Sequence, residues 1–423
     1  MWGFVRDLHA GRTDRRRFLW LYVGTALGVL AKGLIGLLLP AAIVAGSVAL
    51  LRRPSVRELN PGRGLALLAA IALPWHVAAA WRDPALFWFY LGDNQILRFL
   101  NRRAVVEDDV SMTTLAFLLV TFVWLFPWGV FLLARGTADA DPAQRSARRV
   151  ALVWTVVVLA FFALSRSKLE YYALPAFPAI AVGVGAAWAS GRDVGRWLWV
   201  ALPGALLVGA AALWVGARLT PGQALDGLAE LNVYYRILRE QGRPFPFESP
   251  RPLGALLQAL GLLLILGWTA AVLAWTRGRR RGAFAALLAL GAGIAILLTT
   301  LLALVEPHHS SRLVAEAIQG RARGADVIAH EGSLEYSAAL PFYTGRRVVV
   351  VDGTRGDLEL ASRLPEARGW FVDGHGLARL WAGTERVFLV TQRPLRDSVA
   401  STLQPVVPLG IFGSRWLYSN KRD

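Results

Sequence analysis

The 423-residue sequence contains no cysteine, so disulfides, thiolate catalysis and cysteine-bound zinc are excluded. Charged residues are also scarce: they make up 18% of the chain, against about 25% in a typical soluble protein. No G-x-G-x-x-G sequence follows a candidate strand, so a dinucleotide-binding turn is not supported. No small-residue cleavage site follows the basic N-terminal stretch, which argues against a removable signal peptide. Hydrophobic residues, by contrast, make up 55% of the chain and are arranged in long runs.

These apolar runs are long enough to cross a membrane, which takes about 20 residues in a helix. The first run, 18–51, is too long for one crossing and is interrupted at Lys32-Gly33, so we expect two helices joined by a tight turn. The sequence predicts a polytopic α-helical membrane protein with nine crossings, over residues 18–31, 34–51, 64–81, 112–134, 149–165, 171–190, 197–217, 253–276 and 282–304.

The distribution of arginine predicts the orientation, because basic residues prefer short cytoplasmic loops. If the basic leader, 1–17, is cytoplasmic, the arginine clusters at 52–63, 145–149, 192–196 and 277–281 are cytoplasmic as well. Most of the formal net charge of +17 then reflects topology and contact with anionic lipid, and nucleic acid is not an expected partner. With an odd number of crossings, the C-terminal region lies outside.

After about residue 305 the composition becomes that of a soluble domain. Candidate strands at 326–330, 347–352, 370–373, 386–391 and 414–419 alternate with helical patterns at 311–319, 334–343, 358–364, 377–381 and 395–403. This alternation predicts a small extracytoplasmic α/β domain over 305–423 with a largely parallel sheet. The transmembrane region is then 18–304, with its larger outer loops at about 82–111 and 218–252.

Some cations lie on the outer side against the topological bias, and these are the candidates for binding an anion. They are Lys32, Arg82, Arg98, Arg102, Arg103, Arg166, Lys168, Arg236, Arg239 and Arg243. Arginine binds phosphate oxygens through a fork of N–H groups and lysine acts as a point charge, so a lipid phosphate is a fitting partner. For any single cation, contact with anionic headgroups is the alternative. Arg166 and Lys168 are the strongest candidates because they lie close together between two spans.

Two polar groups in the outer regions have weaker support as sites. The acidic run at 107–109 is either a solvated turn or a contact for substrate or metal. His308 and His309 are expected to form the junction to the soluble domain, since no third ligand lies at a recognised zinc spacing.

The most specific signature is the segment 161–178, with the sequence F-F-A-L-S-R-S-K-L-E-Y-Y-A-L-P-A-F-P. It resembles the F-F-S-L-S-R-S-K-L-P-x-Y-I-L-P-x-F-P segment of the lipid-carrier-dependent glycosyltransferases. These are membrane enzymes of the GT-C superfamily that include the aminoarabinose transferases of lipid A and are related to protein O-mannosyltransferases. Residues 27–36, residues 94–99 and the tail from His308 to Asn420 resemble the same family in the same order, so the resemblance covers almost the whole chain.

The resemblance implies transfer of a sugar from a polyprenyl-phosphate carrier to a lipid, glycan or protein acceptor at the outer face of the bacterial inner membrane. Carried over by position, the candidates for holding the carrier phosphate are Lys32, Arg98, Arg166, Lys168 and Tyr172. Basic residues are suited to this transfer, because the departing phosphate gains negative charge that cations already in position stabilise. The predicted topology independently places these four cations outside.

Three departures from the family pattern concern catalysis. The sequence starts midway through the pattern, and no acidic outer loop precedes Lys32, so the catalytic base is unassigned. We expect a truncated sequence, with a separately supplied half or a chain inactive alone as the alternatives. The family's metal-associated His falls at Gln95, a poor ligand for a divalent metal, so the metal is not carried over. Glu170 replaces a proline and is the one candidate carboxylate: it either pairs with Arg166 or Lys168, or acts on the acceptor.

Two other classes of function remain as alternatives. A lipid or glycolipid transporter would be expected to carry paired repeats and charges at the membrane midplane, and the sequence has neither. A non-catalytic lipid-binding scaffold remains compatible with the missing acidic loop.

Overall fold

The computed structural model describes residues 1–8, 18–100, 102, 112–134, 142–191, 193–231, 233–240, 242, 245–353 and 358–422. The chain divides into two compact units. The first consists of Met1–Pro203 and Ala271–Leu287, and the second of Gly204–Ala270 and Leu288–Asp423. The acidic run at 107–109, Arg103 and Arg243 lie outside the described residues.

Long apolar helices make up most of the first unit. A helix satisfies its backbone polar groups internally, which is the requirement for a chain that enters hydrocarbon. Large apolar side chains such as Leu164, 77% exposed, lie on the outside of these helices, where lipid would cover them. The unit contains α1 (Trp2–Asp7), α2 (Leu19–Lys32), α3 (Ile35–Leu51), α4 (Pro61–Arg82), α5 (Pro84–Trp88), α6 (Arg98–Leu100), α7 (Thr114–Trp124), α8 (Pro142–Leu164), α9 (Phe177–Ser190) and the first part of α10 (Val194–Arg218).

Each of the nine predicted spans coincides with an apolar helix. Six helices of the described chain are long and apolar enough to cross a membrane, and three shorter ones are Leu19–Lys32, Ile35–Leu51 and Thr114–Trp124. The last is shorter than predicted, because the helix ends at Trp124 and only a 3-10 helix, Gly129–Leu133, follows. The helical membrane fold is therefore confirmed, and the number of crossings stays a prediction.

The second unit begins within α10 and contains α11 (Pro221–Leu231), α12 (Val233–Glu240), most of α13 (Arg251–Thr276) and most of α14 (Arg280–His309). Glycines let α10 and α13 approach each other closely. A Cβ atom added to Gly216 would lie 2.5 Å from the Gly254 carbonyl oxygen, and one added to Gly261 would lie 2.5 Å from that of Gly209. Small residues at such crossings allow close backbone packing between membrane helices.

The predicted outer loop 218–252 contains the amphipathic pair α11 and α12. Their apolar faces, including Leu228 and Tyr235, pack in one cluster with Val305 of α14. Arg239 lies 3.3 Å from Glu230 and 3.8 Å from Asp226. Acidic partners of Arg239, a predicted outer cation, therefore lie within the same helix pair.

The C-terminal domain contains a six-stranded sheet in the order β3-β2-β1-β4-β6-β5. Strands β3, β2, β1 and β4 are parallel, and β6 runs antiparallel to β4 and β5. The predicted α/β domain with a largely parallel sheet is confirmed. The strands are β1 (Val327–Glu331), β2 (Val348–Val351), β3 (Phe371–Val372), β4 (Val387–Thr391), β5 (Val407–Phe412) and β6 (Arg415–Ser419).

Helices cover both faces of this sheet, because successive side chains point to opposite faces and nearly all those of β1, β2 and β4 are buried. On one face, α15 (Arg312–Gln319) packs with Ile328 and Phe388. On the other, α17 (Gly374–Trp381) packs with Ala329 and Leu389. The short helix α16 (Leu340–Thr344) lies between β1 and β2. The predicted helices at 358–364 and 395–403 are instead short 3-10 turns at Ala361–Arg363, Leu395–Asp397 and Val399–Thr402.

Hydrogen bonds from Arg415 connect the end of α14 to the sheet. This buried side chain donates to the carbonyl oxygens of His309, at 2.9 Å, and Ser310, at 3.0 Å. It also donates to the hydroxyls of Ser414 and Ser337, both at 2.8 Å, and to the Tyr336 carbonyl. His308 and His309 therefore lie at the junction, as predicted.

Candidate functional site

The turn between α2 and α3 carries the first predicted phosphate ligand, Lys32. The turn is tight because Gly36 packs on Gly28: a Cβ atom added to Gly36 would lie 2.2 Å from the Gly28 carbonyl oxygen. Gly33 adopts a φ of +68°, which an L side chain rarely adopts, and its N–H donates to the Val29 carbonyl at 2.8 Å. Lys32 is exposed in the last turn of α2, where the helix dipole favours a cation.

A π-helix, Phe89–Leu97, packs against this turn. The Tyr90 hydroxyl donates to the Val29 carbonyl at 3.4 Å. A Cβ atom added to Gly33 would lie 2.8 Å from the Tyr90 hydroxyl and 3.1 Å from Nε2 of Gln95. Burial raises the pKa of Tyr90, so its phenol stays protonated and remains a donor. The glycine therefore leaves room for two polar side chains beside Lys32.

The π-helix buries polar groups that helical spacing alone did not reveal. Asp93 is fully buried within it. The Oε1 atom of Gln95 is buried without a hydrogen bond to the described residues. Tyr90 also packs against His76, with ring centroids 5.6 Å apart, and Nδ1 of His76 lies 2.8 Å from the Ala72 carbonyl. His76 is thus packed and hydrogen-bonded.

Helix α6 continues the π-helix and joins it to the S-R-S-K-L segment. The Arg166 backbone N–H donates to the Phe99 carbonyl at 2.9 Å, and the rings of Phe99 and Phe161 are 5.1 Å apart. The Ser165 hydroxyl lies 2.7 Å from the Ser167 carbonyl and 3.3 Å from that of Phe99. These bonds fix the backbone on both sides of Arg166.

The segment presents its two cations differently. Arg166 is exposed, whereas Lys168 is only 8% exposed. Burial of an ammonium group is costly unless anionic or hydrogen-bonding neighbours surround it. The Lys168 carbonyl also accepts from the Met112 N–H at 3.4 Å, which connects the segment to the residues just before α7.

Glu170 and Tyr172 lie in the 3-10 helix Glu170–Ala176, which precedes α9. Tyr172 packs on Phe162 with ring centroids 4.9 Å apart. Glu170 is exposed at the first position of this helix. Its role as base or ion-pair partner stays a prediction.

Direct contacts therefore link the three segments that carry the predicted ligands. Tyr90 and Gln95 contact the turn after Lys32. The chain then continues through Arg98 to Phe99, whose carbonyl accepts from the Arg166 backbone N–H. Sequence reasoning missed the contacts of Tyr90 and the buried hydroxyl of Ser165. The resemblance does not single out Tyr90, whereas the serines of S-R-S-K-L are an available signal for a hydrogen-bonded turn.

Metal ligands are not clustered in the described part of the chain: no group of three or more His, Asp or Glu side chains lies together there. The prediction that Gln95 replaces a metal-associated His is untested.

No protein-family model matches the chain. It is similar to the undecaprenyl phosphate-alpha-4-amino-4-deoxy-L-arabinose arabinosyl transferase of Pseudomonas aeruginosa strain UCBPP-PA14, with 30% identity over 365 residues, covering 85% of this chain and 61% of the relative. The enzyme of the same name from Pectobacterium carotovorum strain PC1 is 31% identical over 235 residues, covering 50% of this chain and 40% of the relative. The chain thus spans about 61% of the length of the first of these relatives.

Solved structures have the same fold. ArnT from Cupriavidus metallidurans bound to undecaprenyl phosphate matches with a TM-score of 0.75 and 19% identity, covering 99% of this chain and 72% of that one. Its apo state matches with a TM-score of 0.73 and 20% identity, covering 99% and 71%.

Proposed function

We propose that this chain, an integral membrane protein homologous to the undecaprenyl-phosphate aminoarabinose transferases, holds a polyprenyl-phosphate-linked sugar and transfers it to an acceptor. The acceptor would be a lipid, glycan or protein at the outer face of the inner membrane. The binding groups would be Lys32, Arg98, Arg166, Lys168 and Tyr172.

The observation that carries this proposal is the set of contacts that unites three distant segments. The Lys32–Gly33 turn, the stretch 89–100 and the S-R-S-K-L segment are separated by about 60 residues each along the chain, yet Tyr90 and Phe99 contact the two outer members. The carrier phosphate is a diester with one negative charge in the donor and becomes a monoester with up to two charges on transfer. It accepts several hydrogen bonds, so cations from three segments that contact one another suit it. An isolated headgroup contact would not need all three.

These cations would act by stabilising the leaving group. In the transfer, the acceptor oxygen forms a bond to the anomeric carbon of the sugar, and the bond from that carbon to the carrier phosphate oxygen breaks. The electron pair stays on the phosphate, whose charge increases, and fixed cations favour that state over the bound substrate. The acceptor's proton goes to a base, for which Glu170 is the candidate in this chain.

Substitution of the paired cations tests this site. The double variant Arg166→Gln and Lys168→Gln, purified in detergent, should lose binding of undecaprenyl phosphate, because two charge-assisted contacts disappear. Arg57→Gln is the matched control, since this exposed arginine lies in a predicted cytoplasmic loop. If the double variant binds undecaprenyl phosphate as well as the unaltered chain does, Arg166 and Lys168 do not hold the carrier phosphate. If Arg57→Gln loses as much binding as the double variant, only the overall charge of the chain matters.

The proposed topology places the N-terminus in the cytoplasm and the α/β domain outside. The chain has no cysteine, so a single introduced thiol reports on one position. In intact cells, a membrane-impermeant maleimide should label Ser401→Cys in the domain but not Arg279→Cys in the turn between α13 and α14. Both positions are exposed, so access within the protein is matched. Labelling of Arg279→Cys alone would reverse the orientation.

A further inference from the structure

A cleft of about 810 Å³ opens in the C-terminal domain, and none of the residues of the proposed carrier site line it. It lies at the edge of the sheet where β1 and β4 begin, between the turn after α15 and the end of β6. Its charged lining consists of five cations and two carboxylates: Arg321, Arg323, Arg386, Lys421 and Arg422, with Asp326 and Glu385. The cleft is therefore a basic one in a domain that the proposed transfer does not use.

Hydrogen bonds hold several of these basic groups in place. Arg386 donates to the Ser419 hydroxyl at 3.1 Å and to the Lys421 carbonyl at 3.3 Å, and its guanidinium lies 4.6 Å from the centre of the Phe388 ring. Arg321 donates to the Ala317 carbonyl at 2.9 Å. Lys421 donates to the Thr384 carbonyl. These bonds fix the orientation of the three side chains at the rim of the cleft.

One of the two carboxylates is already engaged by the backbone. Asp326 accepts from the Arg323 N–H at 2.7 Å, which closes the turn between α15 and β1. Arg346 supports the same turn from outside the cleft by donating to the Asp326 carbonyl at 3.2 Å and to the Arg323 carbonyl. The backbone that carries Arg323 is thus fixed, while the Arg323 side chain is exposed. A polyvalent anion would meet a preformed rim of N–H donors, and guanidinium groups fit phosphate oxygens closely.

The position of the cleft indicates where its ligand comes from. Helix α14 joins the domain at the opposite edge of the sheet, where Arg415 begins β6 and binds His309 and Ser310. Strand β6 then runs the length of β4 to Ser419, beside the cleft. A five-residue strand measures about 16 Å. The cleft is therefore about one strand length from the apolar helix, which favours a ligand in water over a headgroup in the bilayer.

We propose that the cleft bounded by Arg321, Arg323, Arg386, Lys421 and Arg422 is a second anion site, which binds a phosphate ester carried by a water-exposed solute or saccharide. The site is independent of the carrier site, so either can fail without the other.

Inorganic pyrophosphate is the probe for this site. With the full chain in phosphatidylcholine nanodiscs at constant ionic strength, calorimetric titration should show saturable binding that Arg323→Gln with Arg422→Gln weakens at least tenfold. Both residues are exposed, so the fold should survive. Arg396→Gln is the control, because its side chain is 85% exposed in the same domain and lies outside the cleft.

Three outcomes would overturn the proposal. The first is no saturable binding by the unaltered chain. The second is an equal loss in Arg396→Gln, which would reduce the effect to net charge. The third is that phosphatidylglycerol vesicles bind the unaltered chain more than the double variant while pyrophosphate does not bind, which would assign the cleft to lipid headgroups. Unchanged binding of undecaprenyl phosphate in the double variant separates this test from that of the carrier site.

Discussion

Two regions of the molecule hold polar groups away from water, and they do so in different ways. In the α/β domain, side chains satisfy one another: Arg415 binds five oxygen atoms of the same domain and its junction to α14. In the S-R-S-K-L segment, the backbone N–H of Arg166 and the hydroxyl of Ser165 both donate to the Phe99 carbonyl. The first arrangement uses a cation to build the fold, whereas the second uses the fold to position a cation.

Glu331 repeats the pattern of the domain at the carboxyl end of β1. Its carboxylate accepts from the Ser398 hydroxyl at 2.6 Å and the Val399 N–H at 3.1 Å, and it lies 3.3 Å from Arg393. This is the point between β1 and β4 where open α/β sheets commonly bind ligands. Here the chain's own segment occupies it, so the buried carboxylate stabilises the domain.

The largest effect on folding should follow Arg415→Ala. The change leaves several buried oxygen atoms without a donor, and losing one partner of such a network costs about 3–5 kcal/mol. Limited proteolysis of the full chain in detergent should show cleavage within 305–423 at a much lower temperature. Arg396→Ala, at an exposed position of the domain, is the control. Equal resistance of the two variants would contradict a structural role for Arg415.

Acid should weaken the same network through His330. Its Nδ1–H donates to the Gly332 carbonyl at 3.3 Å, and its Nε2 accepts from the Ser337 hydroxyl at 3.0 Å, which in turn accepts from Arg415. Burial lowers the pKa of His330 from 6.5 to about 4. The stabilisation is complete above pH 6.5 and is lost as the pH falls to 4, because the unfolded chain then binds a proton that the folded one excludes. The loss reaches about 3 kcal/mol.

A pair of histidine variants measures this pH dependence. His330→Gln keeps one donor and one acceptor but does not titrate, so its proteolytic stability should fall less between pH 7.5 and pH 4 than that of the unaltered chain. His375→Gln, at an exposed position, should keep the original dependence. Identical slopes for all three proteins would show that the proton binds elsewhere.

How far the sequence predicts each region depends on what decides its structure. Hydropathy located the nine apolar helices but not all of their ends: α7 ends early, α8 begins before its predicted span and α9 begins after the start of its span. The β-branched runs located five of the six strands. Strand β5 was missed because Pro408 and Gly410 interrupt its pattern, and a register shift lies between them. Such features suit an edge strand, whose outer side needs no partner.

For the candidate site, the sequence predicts a set of residues, which stays a prediction, but it does not predict their arrangement. The resemblance points to Lys32, Arg98 and Arg166 through short motifs, and the predicted topology assigns them to one side of the membrane. No local sequence feature distinguishes a π-helix from an α-helix over 89–97, yet the helix type decides which side chains reach Gly33. The contact of Phe99 with Arg166 joins residues 67 positions apart and depends on packing of whole helices.

A smaller effect should follow Ser165→Ala. The hydroxyl bond to the Ser167 carbonyl is short and buried, so its loss should cost about 1 kcal/mol and loosen the backbone that positions Arg166. Binding of undecaprenyl phosphate should weaken a few-fold while the α/β domain keeps its resistance to proteolysis. Ser55→Ala is the control, since that exposed hydroxyl accepts one long bond of 3.4 Å from the Glu58 N–H. Unchanged binding in Ser165→Ala would mean that the backbone bond to Phe99 suffices.

The smallest effect on folding should follow Arg166→Gln, and this variant separates the two regions most sharply. Because Arg166 contributes its backbone N–H to the Phe99 carbonyl and its side chain is exposed, the substitution should change stability by less than about 0.5 kcal/mol. Loss of one charge-assisted contact should nevertheless weaken binding of undecaprenyl phosphate by about 10- to 100-fold. Arg415→Gln should give the opposite result, with lowered stability and, in protein that remains folded, unchanged carrier binding. If thermal unfolding and binding assays instead show both variants losing stability and binding together, Arg166 belongs to the fold as Arg415 does.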